Sequence, residues 1–160
     1  MLADLTGGEL FKIERARPYS ENYQACIAEA KADLQKKARP EVLHMPENLD
    51  ACDEVYLGYP NYWGTMPMAV YTFLEAYDFT GKTIHPFCTH EGSGLAGTVR
   101  DIQGAARGAV VAKGLAIHGS QVDGAKPAIE KWARENQALF PPPRQLPGRF
   151  SFLQSYADNL

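Results

Sequence analysis

Four times along this chain a short apolar run breaks off in a loop and gives way to a stretch with helical spacing, and that alternation restricts the fold more than any other feature. Residues 9–14 alternate polar and apolar side chains ahead of the turn-forming Arg17-Pro18-Tyr19, which predicts a half-exposed or near-edge strand. Tyr23, Ile27, Ala30 and Leu34 then recur at helical spacing. Ser20 is the expected cap, Lys36 and Lys37 sit at the C-terminal end, and Pro40 closes the helix. The second unit is an aromatic strand over residues 54–59, a loop, and a helix over 67–77 with its stripe on Val70, Tyr71, Leu74 and Tyr77. The third is a strand over 82–89, a loop at 91–94 and a short helix over 98–106. In the fourth, Val110-Val111 and residues 114–119 supply strand material, and Asp123 with Pro127 opens a helix carrying Ile129, Trp132, Ala133 and Leu139.

Strands alternating with helices call for parallel pairing through crossovers, hence a three-layer α/β/α domain over residues 1–140. A chain of 160 residues with 45% hydrophobic and 22% charged content suits one such core. The triple proline within residues 140–147 stops the last helix and predicts an extended tail over 141–160. Phe150, Phe152, Leu153 and Tyr156 make that tail too apolar for a solvated linker.

Sixteen basic residues against nineteen acidic ones give a net charge of −3, and the basic residues are scattered, which argues against nucleic acid as a partner. Cys26, Cys52 and Cys88 are far apart and odd in number, so neither a disulfide framework nor a zinc site is expected. His44, His85, His90 and His118 lack ligand spacing as well, so no metal is expected. With no signal-peptide pattern at the N-terminus and no apolar run reaching ~18 residues, the expectation is a cytoplasmic protein without a membrane partner.

In a parallel sheet, ligands sit outside the carboxyl ends of the strands. Two loops lie there: Pro60, Asn61, Tyr62, Trp63 and Gly64 after the second strand, and Thr89, His90, Glu91, Gly92, Ser93 and Gly94 after the third. Tyr62 and Trp63 either close the core under a loop or stack on a flat, partly apolar ligand. The glycines around Ser93 give backbone N–H groups access to the edge of a polar heterocycle. Other motifs fail on spacing. Gly81-Lys82-Thr83 has Ala76 where a phosphate loop needs glycine and reads as a turn entering a strand. Ser93 is flanked two residues away by Glu91 and Leu95, which excludes a nucleophile elbow. Cys88 near His90 reads as a buried small hydrophobe before a nucleophile, and no catalytic side chain is assigned.

The segments LGYPNYWG at 57–64, FLEAYDFTGKTI at 73–84, PFCTHEGSG at 86–94 and GLAIHG at 114–119 together resemble the short bacterial flavodoxin type of FMN-binding domain, from about residue 7 to residue 137. The resemblance implies non-covalent FMN, with residues 60–64 beside the isoalloxazine ring, Trp63 stacking on it, and residues 89–94 at its pyrimidine side. It implies electron transfer to a redox partner protein, or flavin-dependent reduction of a small-molecule acceptor, with the flavin carrying the electrons. The alternative is a flavodoxin-fold scaffold or interaction module without cofactor.

The chain departs from that family at its start. Members open with a central strand, a Ser/Thr/Gly-rich loop for the FMN phosphate and a helix, whereas this chain begins at what corresponds to the end of that helix. Thr6-Gly7-Gly8 precedes a strand and is a poor phosphate cradle. In the family's order 2-1-3-4-5 four strands are then expected instead of five. The hole is two inter-strand spacings wide, ~9.6 Å, with unpaired backbone on both sides. Three accounts stand: an N-terminally truncated sequence, a first strand moved over against residues 54–59, or the apolar tail of this chain or of a partner in a homodimer covering the gap. The FMN site is expected to lack its phosphate half.

Overall fold

The computed structural model describes residues 2–139 and 150–154. Its centre is β2 (Glu54–Pro60), buried from Glu54 to Tyr59, as a parallel strand covered on both faces must be. β3 (Thr83–His90) runs beside it in unbroken register from Glu54↔Thr83 to Pro60↔Thr89. Two short segments, β4 (Val110–Val111) and β5 (Leu115–His118), share the next position along β3. Ala112 bridges them by donating its N–H to the Ile84 carbonyl at 2.8 Å.

On the other side of β2 lies β6 (Phe150–Gln154), parallel to it through Leu57↔Leu153 and Gly58↔Gln154. β1 (Glu9–Lys12) pairs in turn with β6, from Glu9↔Phe150 to Lys12↔Gln154. The order is therefore β1-β6-β2-β3-β4, with β5 also on β3 and every pair parallel. Residues 2–139 fill four sheet positions, as expected. The fifth, between β1 and β2, is taken by five residues of the tail. β1 does not move over against β2, because β6 already meets the backbone groups that both strands turn toward the gap. Residues 140–149, with the expected extended proline segment, lie outside the described residues.

Side-chain alternation along β2 builds two cores. Val55, Leu57 and Tyr59 join Val70 and Phe73 of α3 (Met68–Glu75) and Ile102 of α4 (Thr98–Ala105). α2 (Tyr23–Gln35) packs on α3 in the same layer. On the opposite face Tyr56 meets Leu2 of α1 (Leu2–Thr6) and Trp132 of α5 (Lys126–Leu139). The three layers position the loops at the strand ends.

Local chemistry shifts some element ends. Asn22, not Ser20, caps α2: its Oδ1 accepts the Ala25 N–H at 3.1 Å, while Ser20 Oγ accepts the Asn22 N–H. Asp123 falls in a 3₁₀ turn over Gly119–Gly124, and α5 begins only at Lys126. Gly81 turns with φ 80° into β3, and the buried Lys82 donates from Nζ to the carbonyls of Cys52 at 2.7 Å and Asp50 at 3.1 Å. That lysine therefore holds a turn together, in keeping with the reading of Gly81-Lys82-Thr83 as a strand entry.

Candidate functional site

All strands being parallel, the ends of β2, β3, β5 and β6 gather at one edge. Immediately after β2, Tyr62 and Thr65 exchange two backbone hydrogen bonds, of 2.8 and 3.0 Å. The two residues between them, Trp63 at φ 53° and Gly64 at φ 81°, form a hairpin turn of the type that needs positive φ at both central positions. Glycine takes that conformation freely, whereas a tryptophan pays about 1 kcal/mol for it. Trp63 is 53% exposed there, so its own fold does not bury it. Lys31 Nζ lies 4.9 Å from the centre of its ring.

Asn61 ties the hairpin to the loop after β3. Its N–H donates to the Thr89 carbonyl at 2.8 Å, its Nδ2 donates to the Gly94 carbonyl at 2.8 Å, and its Oδ1 accepts the Gly64 N–H at 3.0 Å. Thr65 Oγ1 anchors the far side of the hairpin on Asp101 Oδ2 at 2.6 Å. In the second loop Gly92 (φ 130°) donates its N–H to His90 Nδ1 at 2.9 Å, a turn that only glycine makes without strain. Cys88, fully buried below it, has its thiol pushed up to about 11 by burial, in keeping with the small-hydrophobe reading.

Between these loops and α2 opens a cleft of about 850 Å³. Pro60, Asn61, Tyr62 and Trp63 form one wall and Thr89, His90 and Glu91 another. Gly64, Gly92, Ser93 and Gly94 are not among the lining residues; the three glycines shape the loops, and Ser93 is exposed. The third wall was not foreseen: Tyr23, Cys26, Ile27 and Ala30 of α2. Helical spacing had flagged Tyr23, Ile27 and Ala30 as an apolar stripe, and an apolar stripe reads the same whether a core or a ligand covers it. Gly58 and Phe87 form the floor; Val122 also lines the cleft, and Gly119 lies against the Glu91 carboxylate.

Among the described lining residues Glu91 is the only one that carries a full charge; no Lys or Arg is among them. The Tyr62 hydroxyl is buried with no hydrogen-bond partner among the described residues, and burial raises its pKa, so it stays protonated. An aromatic, mostly apolar slot with a few donors at its rim suits a flat heterocycle. Among the described residues no three His, Cys, Asp or Glu side chains come together as a metal site, and no helix is long and apolar enough to cross a membrane.

A parallel sheet with a cleft at the carboxyl edge of its strands defines a doubly wound α/β protein, a fold whose ligands sit at that edge. The flavodoxin family profile matches residues 1–136, and the chain belongs to that family. Among solved structures, a Bacteroides eggerthii protein assigned as a flavoprotein shares 24% identity with a TM-score of 0.68, over 89% of this chain and 87% of the other. One from Bacteroides uniformis, assigned likewise, shares 23% with a TM-score of 0.72, over 83% and 85%. A Lactobacillus acidophilus flavoprotein in complex with FMN shares 21% with a TM-score of 0.53, over 70% and 75%. At these identities the likeness carries the fold. No curated protein matches the chain.

Proposed function

We propose that the cleft is a flavin site of the FMN type and that the chain works as a flavoprotein in electron transfer, to a redox partner protein or to a small acceptor. The observation that carries this reading is the hairpin at residues 61–65, which holds an exposed Trp63 in a left-handed conformation at the mouth of the cleft. A fold tolerates such a ring when the ring has work to do there. The solved flavoprotein structure with FMN lends the same reading support from the fold.

The residues fit the ring better than the phosphate. Trp63 and Tyr62 offer aromatic faces, Asn61 locks the two loops, and the His90 ring supplies a polar group among the lining residues. A dianionic phosphate finds no cation among the described lining residues and faces Glu91. A bound flavin would supply the electron chemistry; the chain binds it, orients it and excludes water.

Titration of the purified protein with FMN, followed by flavin fluorescence, tests this. Saturable quenching at micromolar or weaker affinity is expected. No saturable change would remove the flavin reading and leave the scaffold without cofactor. Sub-micromolar FMN binding would show that the phosphate is well held after all.

A further inference from the structure

The cleft floor and the α2 wall meet through the strand that fills the gap in the sheet. The register of β6 with β2 runs through Leu57↔Leu153 and Gly58↔Gln154, at the end of β2 that carries the cleft. Gly58 is bare floor there, matched to Phe87 of β3 on one side and to Gln154 on the other. With no side chain to restrict it, a glycine backbone takes its place from its ladder partners. Gln154 is also matched to Lys12 at the end of β1. Beyond Lys12 the chain turns to α2: Arg15 Nη2 lies 3.1 Å from Asp33 Oδ2 of that helix, and the Tyr19 hydroxyl donates to the same oxygen at 3.1 Å. The centre of the Tyr19 ring lies 6.4 Å from that of Tyr62. One strand thus joins the Gly58 floor to the segment that holds the α2 and Tyr62 walls.

That strand also has a short and irregular ladder for its place in the middle of the sheet. β2 and β3 stay in register from Glu54↔Thr83 to Pro60↔Thr89, whereas β6 has two register pairs with β2 and meets β1 with a shift between Glu9 and Phe11. A strand held by few ladder bonds opens at lower cost than the sheet around it. Resting on the flavin reading above, we propose that β6 is a positioning strand of the cleft: its docking between β1 and β2 and the filling of the cleft by a flat heterocycle favour each other. Such coupling is reciprocal, so whatever factor docking adds to ligand affinity, the ligand adds to docking.

Riboflavin serves as the probe, because it carries the ring without the phosphate. In the full chain, saturating riboflavin is expected to slow amide hydrogen exchange at residues 150–154 about tenfold. Leu153→Pro removes the N–H of a residue matched to both Phe11 and Leu57, and is expected to weaken riboflavin binding about tenfold. Asp158→Pro, beyond β6 in the sequence, is expected to stay within about twofold of wild type. Without ligand, Leu153→Pro is expected to move the NMR resonances of Gly58 and Phe87 and to leave those of β4 in place. Exchange at residues 150–154 that riboflavin does not change overturns the proposal, as does unchanged riboflavin affinity in a folded Leu153→Pro protein. Should that variant not fold, the exchange measurement on wild type decides. If wild type takes up no riboflavin, the preceding section's reading falls on its own, and unmoved Gly58 and Phe87 resonances in Leu153→Pro overturn the positioning role.

Discussion

At the scale of single residues, Trp63 joins backbone strain to the proposed flavin site. Replacing it with glycine removes the left-handed penalty and the exposed ring together. Trp63→Gly is expected to raise unfolding stability by about 1 kcal/mol in urea and to weaken flavin binding about tenfold. Lower stability with unchanged binding would place the ring in the core instead. His85 is fully buried and stacked on Tyr56 with ring centres 4.6 Å apart. Burial drives its pKa down to about 4 from 6.5, partly opposed by a hydrogen bond with Asn136. Since the unfolded chain takes up the proton first, the stability from a neutral His85 is complete above pH 6.5 and is lost as pH falls toward 4. Between pH 8 and pH 5 wild type should lose roughly 2 kcal/mol in urea unfolding, and His85→Phe should lose much less. Gly58 is a packing glycine: a Cβ there would overlap the Phe87 ring on the cleft floor. Gly58→Ala is expected to cost about 1–3 kcal/mol and to lower the thermal midpoint unless that ring yields.

At the scale of elements, the order of strands and helices from residue 9 to 139 was legible, because each apolar run and each helical stripe has its own period. Ends were less so. Asn22 capped α2 where Ser20 also qualified, since both offer an oxygen and only the geometry chooses. The place of residues 150–154 was legible only as an apolar tail beside a gap. Nothing local states that Phe150–Gln154 pairs in parallel with β1 and β2, because such pairing is decided by unpaired backbone far away in sequence. A chain ending at residue 139 would leave β1 and β2 without that partner. It is expected to lose cooperative thermal unfolding and to bind a hydrophobic dye; an unchanged transition would show β6 to be dispensable.

At the scale of the molecule, two of the cleft's walls were legible and the third was not. Asn61, Trp63 and the loop from Thr89 announced themselves by position at strand ends and by residue type. The α2 wall did not, because it looks like core. The assembled cleft is aromatic and holds Glu91 as the one charged side chain among its described lining residues, so the proposed flavin reading makes the ring the source of affinity. Calorimetric titration of the same protein with riboflavin and with FMN measures this most directly. Saturable binding of both, with dissociation constants within about threefold because no cation among the described lining residues meets the phosphate, is the predicted result. No binding of riboflavin, or FMN binding more than about a hundredfold tighter, would contradict it.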